Sequence, residues 1–338
     1  MYLKELCELD GVSGNEADVR NYIKDKISPY CEEIYVDSIG NLIAKKKGKS
    51  DKKKVMIAAH TDEVGLIISG ITDKGFLEFK TVGGIDTRVL ISKQVRVGSE
   101  KVKGVIGMKA IHLQSKSERQ TVPKVSSLFI DIGCKDKESA EEKVSLGDYA
   151  AFCTEYSDFG TDKIKAKAID DRVGCAILIE LVKTEPVYDT YFCFTAQEET
   201  GLRGAKIAAA RISPDIALVV ESTTGADVAN VEERDRVTTL GKGAAISFAD
   251  RRTIVEKEFS EWLYNEAEKS SISVQYKNAV AGGNDAGAIH LAAGGIRTAT
   301  VSVPSRYIHS PAGIADKNDI EAVEKVARMF ITRADELI

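Results

Sequence analysis

The chain has 338 residues, of which 43% are hydrophobic, so it can bury a sizeable core. This length favours two domains, or one domain that carries a large insertion. A net charge of −5 without a concentrated basic face argues against nucleic acid as a main partner. The N-terminus does not have the pattern of a signal peptide, and no apolar run approaches the length of a membrane span. We therefore expect a cytoplasmic protein with no membrane partner.

The six cysteines are scattered along the chain and form no C-x-x-C pair. Several of them, including Cys175 and Cys193, lie in apolar runs, which is typical of small buried hydrophobic residues in a reducing compartment. A zinc site built from cysteines is therefore not expected.

The first part of the chain predicts a helix followed by a buried strand. Ser13 and Glu16 have the spacing of a capping box, and apolar residues then recur at helical spacing over positions 19–27. Val55–Ala59 is a short apolar run that ends at His60, which suits a buried strand.

The character of the sequence changes between Gly65 and about Phe152. Short β-branched or aromatic segments, separated by glycine turns, predict a small β-rich unit in this stretch. We therefore expect an inserted β-rich domain over residues 67–160. The two parts of a catalytic α/β domain, residues 1–66 and 161–338, would lie on either side of it.

Strands and helices alternate after the insert. Strands are predicted at 190–195, 216–220, 272–276 and 298–303. Helices are predicted at 172–183, 204–211, 254–269, 285–293 and 320–336. The alternation predicts an α/β fold with a mixed, mostly parallel sheet and helices on both faces.

Two motifs pair a candidate metal ligand with a second polar group. Asp62 lies two residues after His60 and points to the same side in an extended chain, so its carboxylate can reach toward the imidazole. A carboxylate that holds one ring nitrogen leaves the other free to bind a metal. Asp170 and Asp171 precede an apolar helix, where one aspartate suffices as an N-cap and the second is unexplained.

Glu198 and Glu199 directly follow an apolar strand and are the sharpest single feature of the sequence. They would lie near the carboxyl edge of the sheet, where ligands bind in open α/β folds. Four predicted strands and one helix start therefore bring a ligand set suited to Zn²⁺, Co²⁺ or Mn²⁺ to that edge. Its members are His60, Asp170, Glu198, Glu199, Glu221 and His309.

Several segments resemble the motifs of the tetrahedral aminopeptidases, which include glutamyl and deblocking aminopeptidases and some members called endoglucanase M. The segments stand in the family's order and are His60–Gly65, Ala168–Gly174, Gln197–Gly201, Gly282–Ala286 and Arg306–Pro311. The resemblance implies a zinc-peptidase-like fold, hydrolysis of N-terminal residues from peptides, and two divalent ions per subunit, zinc or cobalt with manganese as a further option. It also implies a β-barrel insert that forms dimers and, from them, a tetrahedral dodecamer.

The resemblance implies a role for each ligand. One metal would be held by His60 and Glu221, and the other by Glu199 and His309, with Asp170 bridging the two. Many family members carry Asp at the position of Glu221, so its longer side chain is a departure that could shift the spacing or preference of the metals.

The remaining roles concern catalysis and the substrate. The resemblance implies that Glu198 is the general base, which accepts a proton from a water shared by the two metals, and that Asp62 orients His60. Asp285 is a candidate for recognising the free N-terminal amine, and a structural role within its glycine-rich turn is an equal alternative. Asn284 stands where Thr is expected in the family motif, which bears on the substrate pocket.

Alternatives from other classes stay open. A deacylase or other amidohydrolase that acts on small N-acyl substrates could use the same metal core. A catalytically silent, oligomeric binding protein could keep the fold, although the intact Glu198 and full ligand set argue against it. A glucanase is disfavoured because carbohydrate grooves usually show exposed aromatic residues, and Trp262 is the single tryptophan.

Overall fold

The computed structural model describes residues 2–338 and shows a large mixed sheet, helices on both of its faces, and a closed barrel. The helices are α1 (Leu3–Glu8), α2 (Ala17–Ile27), α3 (Lys116–Gln120), α4 (Lys137–Glu141), α5 (Ile169–Leu181), α6 (Arg203–Ile212), α7 (Lys257–Lys269), α8 (Ala286–Ile289) and α9 (Lys317–Arg333). The strands are β1 (Glu33–Val36), β2 (Leu42–Lys46), β3 (Ser50–His60), β4 (Gly65–Ile71), β5 (Leu77–Val82), β6 (Gln94–Val97), β7 (Val102–Met108), β8 (Leu128–Asp131), β9 (Tyr149–Phe152), β10 (Ser157–Phe159), β11 (Lys163–Ala166), β12 (Tyr188–Thr195), β13 (Ile216–Thr224), β14 (Ala244–Ile246), β15 (Val274–Tyr276), β16 (Arg297–Arg306) and β17 (Gly313–Asp316).

Parallel strands form the centre of the main sheet, in the order β12, β3, β13, β16. Antiparallel strands extend it on both sides, with β2 and β1 beyond β12, and β17, β11 and β10 beyond β16. The carboxyl ends of the parallel strands therefore meet at one edge, as the sequence predicts.

Residues of β3 alternate between two cores because successive side chains of a strand point to opposite faces. Val55, Ile57 and Ala59 pack in a large core with residues of α1, α2, α5, α7 and α9. Met56 and Ala58 pack in a smaller core with residues of α6 and α8. The apolar run that predicts a buried strand is thus covered on both faces, and the predicted α/β fold class is confirmed.

The β-rich unit is a closed antiparallel barrel with the strand order β4-β5-β8-β7-β6-β9 and a core of its own. Its strands lie between Gly65 and Phe152. The strand β10 falls inside the predicted insert of residues 67–160 but pairs with β11 in the main sheet. The division of the chain at 66/67 and 160/161 stays a prediction.

The capping box predicted at Ser13 and Glu16 is wrong. Helix α2 begins at Ala17 without a side-chain cap, and Ser13 Oγ donates a hydrogen bond to Asp62 Oδ2 instead. The Glu16 carboxylate accepts hydrogen bonds from the N–H groups of Gly14 at 2.6 Å and Gln197 at 3.2 Å. Both side chains therefore bind loops of the functional site rather than their own helix.

Two predictions from composition concern the cysteines and the membrane. All six cysteines are unpaired, and Cys175 and Cys193 are buried as expected. Over residues 2–338, no helix combines the length and the apolar character needed to cross a membrane. The cytoplasmic location stays a prediction.

Candidate metal centre

The predicted ligands come together at the carboxyl edge of the central strands. They are His60 at the end of β3, Asp170 at the start of α5, Glu198 and Glu199 after β12, Glu221 within β13 and His309 after β16. The sequence places Glu221 at the end of its strand, but β13 continues to Thr224, so this carboxylate projects from inside the sheet.

The Asp170 carboxylate lies between the two histidines. Its Oδ1 is 3.1 Å from Nε2 of His60, and its Oδ2 is 3.3 Å from Nε2 of His309. Glu221 Oε1 lies 3.5 Å from the His60 nitrogen, and Glu199 Oε2 lies 3.4 Å from the His309 nitrogen. One cluster that could hold a metal ion combines Asp170, Glu199 and His309, a second combines His60, Asp171 and Glu221, and a third combines His60 with Glu198 and Glu199. Asp170 also lies 3.1 Å from His60, so its carboxylate faces both histidines, and imidazole nitrogens with carboxylate oxygens suit zinc and related divalent metals.

Asp171 explains why two adjacent aspartates precede α5. Asp170 and Asp171 have non-helical backbone angles, so the regular part of α5 begins after them. Asp171 Oδ1 accepts from the N–H of Gly174 at 3.0 Å, as an N-cap does, and its Oδ2 accepts from the N–H of His60 at 3.2 Å. Asp171 thus caps the helix and ties it to β3, which leaves the Asp170 carboxylate free to face the two histidines.

The Asp62 side chain contacts both His60 and the glutamate loop. Its carboxylate accepts hydrogen bonds from the N–H groups of Glu198 and Glu199, each at 3.0 Å, and from Ser13 Oγ. Asp62 Oδ1 lies 3.4 Å from Nδ1 of His60, and the Asp62 carbonyl oxygen lies 3.0 Å from the same nitrogen. These contacts are compatible with the predicted role of Asp62 in orienting His60, and that role stays a prediction.

The centre contains more buried carboxylates than cationic groups. In the metal-free protein, burial raises the pKa of Glu221 to about 7, and burial and a neighbouring carboxylate raise that of Glu199 to about 8. Burial also raises the pKa of Glu198 well above its usual range. Burial alone would lower the pKa values of His60 and His309, but nearby carboxylates outweigh it and raise them, that of His309 to about 9. The cluster thus lacks positive charge, which fits a centre for divalent cations.

A cavity of about 250 Å³ opens beside these groups. Part of its lining comes from metal-centre residues, namely His60, Asp170, Glu198, Glu221 and His309. The rest comes from 222–224, Val237, Lys277, 281–284 and Ile308. The carboxylates and Lys277 therefore line the same cavity.

Lys277 is a site residue that the sequence analysis missed. Its Nζ donates a weak hydrogen bond of 3.4 Å to the carbonyl of Ala281, and only 9% of the residue is exposed. Burial lowers the pKa of Lys277, while Asp250 and Glu221 act on it in the opposite direction from a distance. A lysine that follows the short strand β15 carries no motif, so no signal in the sequence could have identified it.

Asp285 lies behind the cavity wall rather than on it. It is 1% exposed, and its Oδ2 accepts a hydrogen bond of 2.5 Å from Thr195 Oγ1. Its Oδ1 is buried without a hydrogen-bond partner among residues 2–338. The neighbouring Asn284 lines the cavity instead. This position favours a role for Asp285 in supporting the end of β12 over direct contact with the substrate amine.

The fold and the centre together define a metal-dependent peptidase, in which a mostly parallel sheet presents paired metal ligands at its carboxyl edge. A family model described as M42 glutamyl aminopeptidase matches residues 40–326, and the chain belongs to this family. It is 41% identical over 326 residues to the Acetivibrio thermocellus protein named "Putative aminopeptidase", covering 96% of each chain. It is also 30% identical over 338 residues to the lysyl aminopeptidase of Pyrococcus furiosus, covering 97% of this chain and 95% of that one.

Solved structures agree with this assignment. A TET aminopeptidase from a marine-sediment archaeon of the Thaumarchaeota is similar with a TM-score of 0.95 at 34% identity, covering 98% of this chain and 95% of the other. The TET1 peptidase of Pyrococcus horikoshii, described as able to assemble into a tetrahedron or a large octahedral shell, has a TM-score of 0.87 at 34% identity and coverage of 98% for both chains. The predicted family is therefore confirmed, and the chain is an aminopeptidase, a hydrolase that acts on peptides.

Proposed function

We propose that this aminopeptidase uses two divalent metal ions and that Glu198 is its general base. The observation that carries the proposal is the position of Asp170, whose two carboxylate oxygens face two histidines at 3.1 and 3.3 Å. Each histidine has a second carboxylate of its own within 3.5 Å. With these neighbours, Asp170 would serve as a ligand together with either histidine, so the donor set suits two divalent ions.

The distances around Asp170 support an assignment of residues to each ion. His60, Glu221 and one oxygen of Asp170 would hold the first, and His309, Glu199 and the other oxygen of Asp170 would hold the second. The pair would lower the pKa of water toward about 7 and polarise the scissile carbonyl. Imidazole and carboxylate ligands suit zinc and cobalt, and they also accept manganese.

Glu198 and Glu199 have different surroundings although they are adjacent. Glu199 lies beside His309, with Oε2 3.4 Å from the ring, whereas Glu198 lines the cavity. The carboxylate of Glu198 is thus placed to accept a proton from the attacking water and to return it to the leaving amine. Its raised pKa belongs to the metal-free protein, and it falls when positive charge is added nearby.

The polarity of the cavity indicates how the substrate lies. The carboxylates on the metal side suit the free ammonium group of a peptide, which accounts for exopeptidase action. Lys277 lines the same cavity, and the side chain of the N-terminal residue would extend toward it. No carboxylate among residues 2–338 pairs directly with this buried lysine, so an acidic substrate side chain would gain a charge-assisted hydrogen bond there.

The proposed preference is therefore for acidic N-terminal residues. The description of the family as glutamyl aminopeptidases supports it. The name of the lysyl relative shows, however, that family membership alone does not fix the preference, so the argument depends on Lys277.

We also propose that the barrel is the self-association domain and that the chain forms at least a dimer. The likeness to a peptidase described as forming closed shells supports self-association. The connection between β7 and β8 on the barrel exposes several apolar side chains, which are Ile111, Leu113 and Val122. Burying them against a second copy would remove apolar surface from water.

A comparison of free and blocked substrates tests the proposed function. The protein loaded with Zn²⁺ or Co²⁺ is expected to hydrolyse glutamyl-anilide and to leave N-acetyl-glutamyl-anilide intact. Equal rates on the two substrates would indicate an endopeptidase or an amidohydrolase that accepts N-acyl compounds. Bound metal without any turnover would indicate a silent binding protein.

A further inference from the structure

We propose that the two metal ions are held unequally, the ion at His60 and Glu221 tightly and the ion at His309 and Glu199 exchangeably. This inference rests on the proposed two-metal function and adds an order of binding to it. It follows from how the protein fixes each histidine, since the two donor sets are otherwise alike in chemistry and share Asp170.

His60 is fixed through its backbone and through its ring. Its N–H donates to Asp171 Oδ2 at 3.2 Å, and its carbonyl oxygen accepts from Cys175 Sγ at 3.1 Å. Its Nδ1 lies 3.0 Å from the carbonyl oxygen and 3.4 Å from the carboxylate of Asp62. The side chain is 2% exposed. The ring therefore cannot turn without breaking contacts on the side away from the metal.

The carboxylate that accompanies His60 is held in a similar way. Glu221 lies inside β13, between β3 and β16, and its side chain is 6% exposed. Its Oε1 also accepts a hydrogen bond of 3.0 Å from the N–H of Ser222. Both groups thus project from the carboxyl ends of central strands, and both are buried and held by contacts of their own, so little entropy remains to be lost when a metal binds.

His309 is held differently. It lies in the connection between β16 and β17, has a left-handed φ of 55°, and its side chain is 41% exposed. Among residues 2–338, no group forms a hydrogen bond with its Nδ1. The backbone of Gly84, just after β5, approaches this ring, since a Cβ added there would lie 3.5 Å from Nδ1. The orientation of this ring therefore depends on the contacts of Nε2 with Asp170 and Glu199.

This difference has a known energetic scale. A metal-binding histidine usually donates a hydrogen bond from its second ring nitrogen, and the acceptor fixes the ring and raises its basicity. Removing such an acceptor typically weakens metal binding about 10–100-fold. We therefore expect the His309 ion to dissociate about 10–100-fold more readily than the His60 ion. At low metal concentration, the protein would carry one ion, at His60.

Metal binding by the metal-free full-length protein tests the order directly. Calorimetric titration with Zn²⁺, with bound metal counted after equilibrium dialysis, is expected to show two steps whose dissociation constants differ about 10–100-fold. His309→Ala is expected to lose the weaker step and keep the tighter one, and His60→Ala is expected to lose the tighter step. Two ions of equal affinity, or loss of the tighter ion in His309→Ala, would overturn the inference.

Gly84 offers a second test that adds the missing partner. Its φ lies outside the left-handed region and an added Cβ would make only an ordinary van der Waals contact with His309 Nδ1, so a small side chain fits there. Gly84→Ser would place a hydroxyl oxygen within reach of Nδ1, and it is expected to tighten the weaker step alone. Gly84→Ala adds the same Cβ without an acceptor and is expected to leave both steps unchanged.

These results separate the inference from the proposed function. If Gly84→Ser and Gly84→Ala bind the weaker ion with the same affinity, the missing hydrogen-bond partner of His309 Nδ1 does not explain the weaker binding. A wild-type titration with two equal steps would contradict unequal binding, even if the loaded enzyme hydrolyses glutamyl-anilide normally. Failure of the loaded enzyme to hydrolyse any free aminoacyl-anilide would instead contradict the proposed function, whatever order the two ions follow.

Discussion

The carboxylate of Asp62 accepts the backbone N–H of Glu198 at 3.0 Å, and its other oxygen accepts the N–H of Glu199 at the same distance. The same carboxylate lies 3.4 Å from Nδ1 of His60. One buried side chain thus joins the loop that carries the proposed base to the strand that carries a proposed ligand. Because both glutamates are anchored through their backbones, their side chains are free to face different parts of the site.

Replacing Asp62 by Asn is expected to disturb both glutamates. The amide has only one acceptor oxygen, so one of the two backbone N–H groups loses its partner and a buried donor is left unsatisfied. We expect metal affinity to fall about 10–100-fold, together with kcat at a fixed metal concentration. Ser13→Ala is the matched control, because it removes the third donor to Asp62 while keeping the carboxylate. Wild-type metal affinity in Asp62→Asn would show that His60 does not need this partner.

The adjacent glutamates are expected to respond differently to the same substitution. Glu198→Gln keeps the shape of the side chain and removes the proton acceptor, so kcat should fall on the order of 10²–10⁴ while bound metal stays near the wild-type level. Glu199→Gln removes a negatively charged metal ligand beside His309, so the variant should lose one ion and regain part of its activity with excess metal. The paired measurement is kcat and metal content for both variants.

The opposite pattern would invert the assignment of the two glutamates. If Glu198→Gln loses a metal while Glu199→Gln keeps both, Glu198 is the ligand. Full activity of Glu198→Gln at saturating metal would show that another group accepts the proton.

The sequence predicts the parts of this site that depend on local patterns. The apolar run at Val55–Ala59 implies a strand buried on both faces, and so places His60 at the carboxyl edge of a parallel sheet. The alternation of strands and helices places Glu199 and His309 at the same edge by the same argument. The fold class and the meeting of the ligands could therefore be predicted before any contact was known.

Features that depend on tertiary packing could not be predicted in this way. Ser13 and Glu16 have the spacing of a capping box, but they bind Asp62 and Gln197, which lie far along the chain. Lys277 is buried where the segment 281–284 lines the same cavity and Ala281 accepts its hydrogen bond, and its charge alone gives no hint of that. Asp285 is the opposite case, because it lies in a family motif but does not line the cavity, and its carboxylate accepts a hydrogen bond from Thr195.

Self-association is expected to be visible in light scattering. The full-length protein should have at least the mass of a dimer at micromolar concentration, because the barrel exposes apolar side chains on one connection. Replacing Ile111 and Leu113 by serine should shift the mass toward the monomer without changing the fold of the catalytic domain, which circular dichroism would check. A wild-type protein that is strictly monomeric would contradict the role proposed for the barrel.

Substitution of Lys277 is expected to change the substrate preference more than the chemistry. Lys277→Met removes the charge and keeps an apolar side chain of similar length, so kcat/KM for glutamyl-anilide should fall by about 10-fold or more, the scale of a charge-assisted hydrogen bond. The value for leucyl-anilide should stay within a few fold of wild type. A proportional loss on both substrates would place Lys277 in the support of the cavity instead of in recognition.

The preference for an acidic N-terminal residue is also expected to depend on pH and to weaken as Lys277 loses its positive charge. Burial lowers the pKa of Lys277, so its positive charge is present at neutral pH and is lost as pH rises into a range below that of an ordinary lysine. A glutamyl side chain stays ionised over this range. The ratio of kcat/KM for glutamyl-anilide to that for glutaminyl-anilide should therefore be highest near neutral pH and fall as pH rises. Taking the ratio cancels the titration of the metal centre, which both substrates share.

Lys277→Arg, whose guanidinium stays charged, should keep the ratio constant to higher pH, and Lys277→Met should give a low ratio at every pH. A wild-type ratio that stays constant until ordinary lysines titrate would show that Lys277 does not read the substrate charge.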